Sequence, residues 1–256
     1  MTARPGSEDR PPLLLLPPSE GKEPGGRPPG RAGSFDGELG GARAAVVAEL
    51  ARVVAGAAPD RQAALLGVRG ELLDRALASV SDLADGCAPV LPAWRRYTGV
   101  VWSALDPASL DVADRRRILV PSGLYGVTTA LDPVADYRLK LSVALGGLGR
   151  LSAFWRPAVT AALVRRARGR TVIDLLPAEH AAAIDVEALG RAVPLVTVRF
   201  VSASGDRAVG HEAKAAKGRL ARAVLEGGVE AAARFRWEGW RARRDAGGIV
   251  CTAPGR

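Results

Sequence analysis

The stretch Leu13-Leu14-Leu15-Leu16-Pro17-Pro18-Ser19-Glu20-Gly21-Lys22 decides how the chain is read. Four consecutive leucines with no polar alternation describe a short, fully buried strand. Two prolines stop it, and the loop beyond presents a hydroxyl, a carboxylate and an ammonium. α/β folds place ligands at such strand ends, which makes Ser19 and Lys22 candidate site residues. The plainer alternative is a tight connecting loop.

Outward from this stretch, residues 1–12 read as a disordered lead-in and the Pro/Gly-rich segment Pro24 to Gly33 as a mobile loop. Helical spacing of Val46, Val47, Leu50, Val53 and Val54 predicts a helix from Gly41 to Gly56. Two shorter helices, Asp60–Leu66 and one from Glu71 through Leu77, flank Gly67-Val68-Arg69-Gly70. That hairpin, at about residues 60–80, has the outline of a helix-hairpin-helix. Such turns aim backbone amides and a helix N-terminus at phosphates, so Gly67, Val68 and Gly70 are candidate anion contacts. A plain interhelical turn is the alternative, since Glu71 and Asp74 make the region slightly acidic.

Further along, a strand at Arg117–Val120 runs into Ser122-Gly-Leu-Tyr-Gly126, again a loop behind a strand. Tyr125, Tyr137 and Arg138 join Ser19 and Lys22 as candidate pocket residues. A helix is expected over Ser152–Arg168, and strands over Thr171–Leu176 and Leu195–Ser202. His211–Leu225 is the best-patterned helix. Ala233–Trp237 and Gly248–Thr252 are expected to pair across the Asp245–Gly248 turn. The irregular alternation, with no internal repeat, predicts one α/β (mixed α+β) domain over residues 13–256.

The 256 residues carry 36 Lys+Arg against 27 Asp+Glu, a net charge of +9. That excess fits a polyanion partner, but it also fits a GC-rich coding bias. Lysine occurs only at Lys22, Lys140, Lys214 and Lys217. Distribution sharpens the choice. On the last long helix His211, Lys214, Lys217 and Arg222 share one broad face, with Ala213, Ala216, Leu220 and Val224 on another. Gly218 sits among the basic positions, where glycine costs about 1 kcal/mol relative to alanine. Either a ligand or a close helix–sheet contact accounts for it. The arginines at 150, 156, 165, 166, 168 and 170 form a second basic run with no intervening acid, some of it placed to offset a helix dipole.

Several function classes drop out. The longest aliphatic run is far short of the roughly 20 residues of a spanning helix and of a signal-peptide core. Cys87 and Cys251 suggest no disulfide framework, so a cytoplasmic location is the expectation. His180, His211 and the two cysteines have no metal-ligand spacing, and no phosphate-loop, dinucleotide or nucleophile-elbow motif occurs. No metal, cofactor or standard catalytic signature is expected.

The order and spacing of several blocks resemble the YaaA peroxide stress proteins. They are Leu-Pro-Pro-Ser-Glu-Gly-Lys (16–22), Tyr97-Thr98-Gly99, Ser122-Gly-Leu-Tyr-Gly-Val127, Leu131-Asp132-Pro133 and Asp136-Tyr-Arg-Leu139. Phe154-Trp155, Asp174-Leu-Leu-Pro-Ala-Glu179, the run from His211 to Arg222 and Trp237-Glu-Gly-Trp240 continue the series. The resemblance implies a compact "cantaloupe"-type fold with a helix-hairpin-helix element and a positively charged cleft. It also implies a cytosolic protein that binds duplex or branched DNA without reading sequence and limits iron-driven oxidative damage; a monomer is the separate expectation for its oligomeric state. Lys214, Lys217, Gly218, Arg219 and Arg222 match the family's basic helix. Departures fall at Thr128-Thr129-Ala130, where the family commonly has Leu-Arg-Pro, and at Lys140, Pro177 and His180. The competing expectation is an enzyme acting on a nucleotide-like or other anionic small molecule, with Ser19, Lys22, Tyr125, Tyr137 and Arg138 lining the pocket beside Lys214 and Lys217.

Overall fold

A computed structural model describes residues 10–206, 208 and 210–255. Strand β1 (Leu13–Leu15) leads to helices α1 (Asp36–Ala55), α2 (Pro59–Leu66) and α3 (Glu71–Ala84). Next come β2 (Val90–Pro92), α4 (Ala93–Arg96), α5 (Val100–Leu105), α6 (Val112–Arg117), β3 (Ile118–Ser122), β4 (Gly126–Thr129) and β5 (Pro133–Ala135). Then follow α7 (Leu151–Arg166), β6 (Val172–Asp174), α8 (Ala178–Ala181), α9 (Val186–Ala192) and β7 (Leu195–Val201). The C-terminal part holds α10 (His211–Ala233), β8 (Arg236–Trp237), β9 (Trp240–Asp245) and β10 (Gly248–Thr252).

Eight strands form one mixed sheet in the order β4-β3-β1-β6-β7-β10-β9-β8, while β2 and β5 pair separately. β1 lies parallel to both β3 and β6, in register Leu14 with Ile118 and Ile173. Leu13 to Leu16 are at most 1% exposed, which is why the run has no polar alternation. β6 continues parallel to β7, and β7 to β10. The C-terminal ends of β3, β1 and β6 therefore open on one edge, and the loops leaving them share it.

Buried polar groups fasten those loops. Trp102, 1% exposed, donates its indole N–H to Pro17 O at 3.0 Å, fixing the chain as it leaves β1. Trp155, fully buried, donates likewise to Gly123 O at 2.8 Å. Arg96 is also fully buried and donates to the carbonyls of Val134 (3.0 Å), Gly25 (2.8 Å), Pro89 (3.1 Å) and Glu23. A buried guanidinium is costly unless its donors are satisfied; here they brace two loops against the β2–β5 pair.

Three sequence expectations need correction. The segment read as a mobile loop is pinned: Arg27 exchanges both backbone hydrogen bonds with Val90, and Arg96 holds the carbonyls just before it. The lead-in stops short of residue 12: Pro12 is already packed, with Arg117 Nε donating to its carbonyl at 3.0 Å, and residues 1–9 lie outside the described residues. The C-terminal hairpin is made by β9 and β10. Ala233 still belongs to α10, and a turn at Glu238-Gly239, both at positive φ, folds β8 onto the outer side of β9. The strand directly preceding the Asp245–Gly248 turn had to be the partner, because a tight turn pairs its immediate flanks.

α10 buries Ala213, Ala216, Leu220 and Val224 as its periodicity predicts and lies along α5. Gly218 is the contact point. A Cβ there would sit 2.3 Å from Val101 O and 2.7 Å from the Ala104 methyl. The glycine serves helix–helix approach, not a ligand.

Gly218→Ala therefore tests the contact by its sign. Helix propensity alone would stabilise the variant by about 1 kcal/mol. Overpacking predicts a loss of about 1–3 kcal/mol instead, read as a lower urea midpoint with unchanged slope. A midpoint at or above wild type would mean that α5 and α10 have room to spare.

Candidate functional site

The loop after β1 is held edge-on by the Tyr97-Thr98-Gly99 segment. Glu23 N donates to Arg96 O at 2.9 Å, Thr98 N to Gly21 O at 3.2 Å, and Lys22 forms a backbone bridge with Tyr97. The Lys22 ammonium is thereby turned inward. It donates to Ser19 O at 2.8 Å and lies 4.4 Å from the Tyr137 ring centroid and 5.7 Å from that of Tyr97. The two tyrosine hydroxyls are 3.0 Å apart. Burial raises both above the usual phenol range, so they remain neutral at physiological pH.

Arg138 and Asp136 complete the wall. Asp136 is paired at 2.5 Å with Arg138 and at 2.6 Å with Arg75 from α3. Two guanidiniums thus share its charge. Among the described residues no carboxylate oxygen comes within 4.0 Å of Lys22 Nζ. Burial first, then the neighbouring Arg138 charge, push the Lys22 amine down to about 7, with Asp136 and Glu20 offsetting part of it. The Tyr137 ring face, which favours a cation, pulls in the same direction as those carboxylates.

The other three lysines arrive from different elements. Lys140 Nζ is 2.7 Å from Glu20, and this pairing holds Glu20 below the usual carboxylate range, with Lys214 and Lys22 acting the same way. Lys217 turns inward to donate to Leu175 O at 2.6 Å, next to Asp174, whose carboxyl burial raises while Lys217 opposes it. Burial is the main cause that holds His180 below its usual value, and the Lys217 and Lys140 charges act in the same direction. All four lysines of the chain are thus within electrostatic reach of the Glu20–His180 neighbourhood.

The α2–α3 turn borders the same place. Gly67 and Gly70 have φ of 67° and 56°, a left-handed conformation that explains both glycines without a ligand. Val68 between them packs against the core. The exposed rim of the turn lines a concavity of about 810 Å³ with Pro59, Asp60, Ala63 and Leu73. A Cβ on Gly67 would touch Lys140 Cε at 3.8 Å, so the turn and the lysine cluster adjoin.

The structure thus brings Ser19, Lys22, Tyr137 and Arg138 together, with Lys214 and Lys217 nearby. Tyr125 stands behind them. Its hydroxyl accepts from Ala135 N at 3.0 Å, its ring is edge-on to Tyr137, and it lines a separate concavity of about 390 Å³ with Asp36, Arg43 and Asp132. Arg222 is drawn away to Glu226 at 2.5 Å and to Ser109 Oγ at 2.5 Å, while Arg219 is exposed. Thr128 and Thr129 are buried in β4, where Thr129 bonds Asp132. The arginine run on α7 is spent partly on structure: Arg156 donates to Ala182 O and Arg165 pairs with Glu38 at 2.7 Å. Sequence reading left Glu20, Tyr97, Asp136, Lys140 and His180 out of the candidate set. The signal for Lys140 was its rarity as a lysine.

The Lys22 environment predicts a pH-dependent stability. Its amine titrates near 7 when folded and at 10.5 when unfolded. Between those values the unfolded chain binds the extra proton, so stability rises with pH by up to about 1.4 kcal/mol per unit. Lys22→Met lacks this contribution. Denaturant titrations from neutral to about pH 10 should show its stability relative to wild type falling as pH rises. A difference that stays constant with pH would mean that Lys22 titrates as an ordinary lysine.

Residues 13–246 match the family described as peroxide stress protein YaaA. A UPF0246 protein of Streptomyces coelicolor is 39% identical over 223 residues, covering 85% of this chain and 84% of its own length. A UPF0246 protein of Corynebacterium efficiens is 33% identical, covering 86% and 87%, and one of Ruegeria sp. is 34% identical, covering 71% and 76%. Matched over most of its length by the family and by these relatives, the chain belongs to the YaaA peroxide stress (UPF0246) family.

Proposed function

We propose that the protein binds the phosphate backbone of duplex or branched DNA, without reading its sequence, and limits iron-driven damage to that DNA under peroxide stress. The observation that carries this reading is Lys140. It lies against the α2–α3 turn at Gly67 while pairing with Glu20, beside Lys22 and Lys214. The Gly67 and Val68 amides are given to Ala63 O, so this edge offers the Arg69 and Gly70 amides of the turn from one side and ammonium groups from the other. Backbone amides and cations contact phosphate independently of base identity, which suits a protein that must cover any sequence. The family's association with peroxide stress supports the protective role.

A second reading, a small anionic molecule in the same cleft, is favoured by the inward-turned Lys22 and its two tyrosines. A duplex reaches exposed cations such as Lys214 and Arg219 more readily than it reaches this nook.

The DNA reading predicts that log affinity falls linearly with log salt, by about 0.9 per phosphate contact. Lys140→Ala and Lys214→Ala should each weaken binding to all duplexes equally and reduce the slope by about one. Fluorescence anisotropy with duplex and four-way-junction DNA reads both effects. Binding indifferent to salt, or variants binding as wild type does, would remove the lysine cluster from the interface.

A further inference from the structure

We propose that Lys22 is a reactive amine that forms an imine with an aldehyde or 2-oxo compound carrying an anionic group, which Lys140, Lys214 and Lys217 hold. The inference rests on the second reading above, a small anion in the cleft.

The first support is which cation stands where. Of 36 Lys+Arg residues only four are lysine. Elsewhere the structural work of cations falls to arginine: Arg96 braces carbonyls, Arg43 donates to Tyr125 O and Val127 O, and Arg117 donates to Leu225 O within α10. Phosphate recognition alone would not call for lysine, because a guanidinium grips an oxyanion in two places. A lysine amine differs in that it can lose its proton near neutral pH and act as a nucleophile. All four lysines of this arginine-rich chain act electrostatically on Glu20 or His180 at one sheet edge.

The second support is that the four are not alike. Lys140 is paired with Glu20 and held charged. Lys22 has no carboxylate within ion-pairing distance among the described residues. Its own loop offers the Ser19 carbonyl, which still accepts, though more weakly, from a neutral amine and so keeps Nζ oriented after deprotonation. Facing it are Arg96 and Tyr97 from the α4 end, and Asp136, Tyr137 and Arg138 from the segment after β5. Asp136 is already shared by Arg138 and Arg75, and Glu20 by Lys140. The cations that face Lys22 thus disfavour a further positive charge, while the carboxylates are committed elsewhere. A desolvated lysine beside other cations is a general arrangement for activating an amine.

In the step itself the neutral Nζ lone pair attacks the carbonyl carbon, forming a C–N bond. Both amine hydrogens leave with the carbonyl oxygen as water, and solvent protonates the resulting imine. The three neighbouring lysines offset the ligand's anionic charge.

Pyridoxal 5′-phosphate, an aldehyde bearing a phosphate, serves as the probe. Borohydride reduction of the wild-type mixture followed by peptide mapping should place the adduct on Lys22 ahead of Lys140, Lys214 and Lys217. The yield should rise through neutral pH, and inorganic phosphate should compete. Lys22→Arg should lose the imine absorbance while inorganic phosphate still raises the melting temperature; the wild-type mapping decides the matter even if that variant fails to fold. Labelling spread over Lys140 and Lys214 with Lys22 unmodified would overturn the proposal. If phosphate binds but no adduct forms at Lys22, the anion site stands and the amine chemistry fails. If neither occurs, both fail.

Discussion

The burial of β1 between β3 and β6 constrains everything else. A strand of leucines with no exposed face can only sit inside a parallel sheet covered on both sides, and its parallel neighbours must then end where it ends. Ser122, the Pro17–Lys22 loop and Asp174 are delivered to one edge by that pairing. Trp102 and Arg96 convert the delivery into a fixed geometry, each spending a buried donor on a loop carbonyl.

Charge is divided along the same line. Several arginines are engaged with carbonyls and carboxylates away from this edge, as Arg117, Arg165 and Arg222 are. The lysines gather where the parallel strands end. That edge combines a desolvated amine, two neutral phenols and an adjoining amide-rich turn. The same concentration of positive charge suits a phosphate backbone on its rim and a smaller anion within. The two uses need different depths of approach, which is why their tests read different lysines.

Much of the scaffold was legible beforehand. The periodicity of α1, α7 and α10 and the glycines flanking α2 and α3 follow from local rules, because each depends on neighbours within a turn of chain. The loop at Pro24–Gly33 misled because composition describes what a free segment would do, whereas Arg27 and Arg96 fasten this one from distant positions. The C-terminal hairpin misled because the alternating Ala233–Trp237 segment has the better strand pattern, whereas the turn geometry chose the arginine-rich Trp240–Asp245. Of the site, Ser19, Lys22, Tyr137 and Arg138 were legible as residues behind strands. Tyr125 followed the same rule and was claimed by Ala135 and Arg43.

The sequence alone determined that a buried strand opens into a polar loop, that a basic helix carries Lys214 and Lys217, and that lysine is rare. Only the tertiary structure decided that Gly218 answers to α5, that Arg222 belongs to Glu226, and that Lys140 closes the ring around Glu20. The reason is physical: local pattern records which face of an element is buried, while desolvation and pairing depend on residues more than a hundred positions apart, as Lys22 and Tyr137 are.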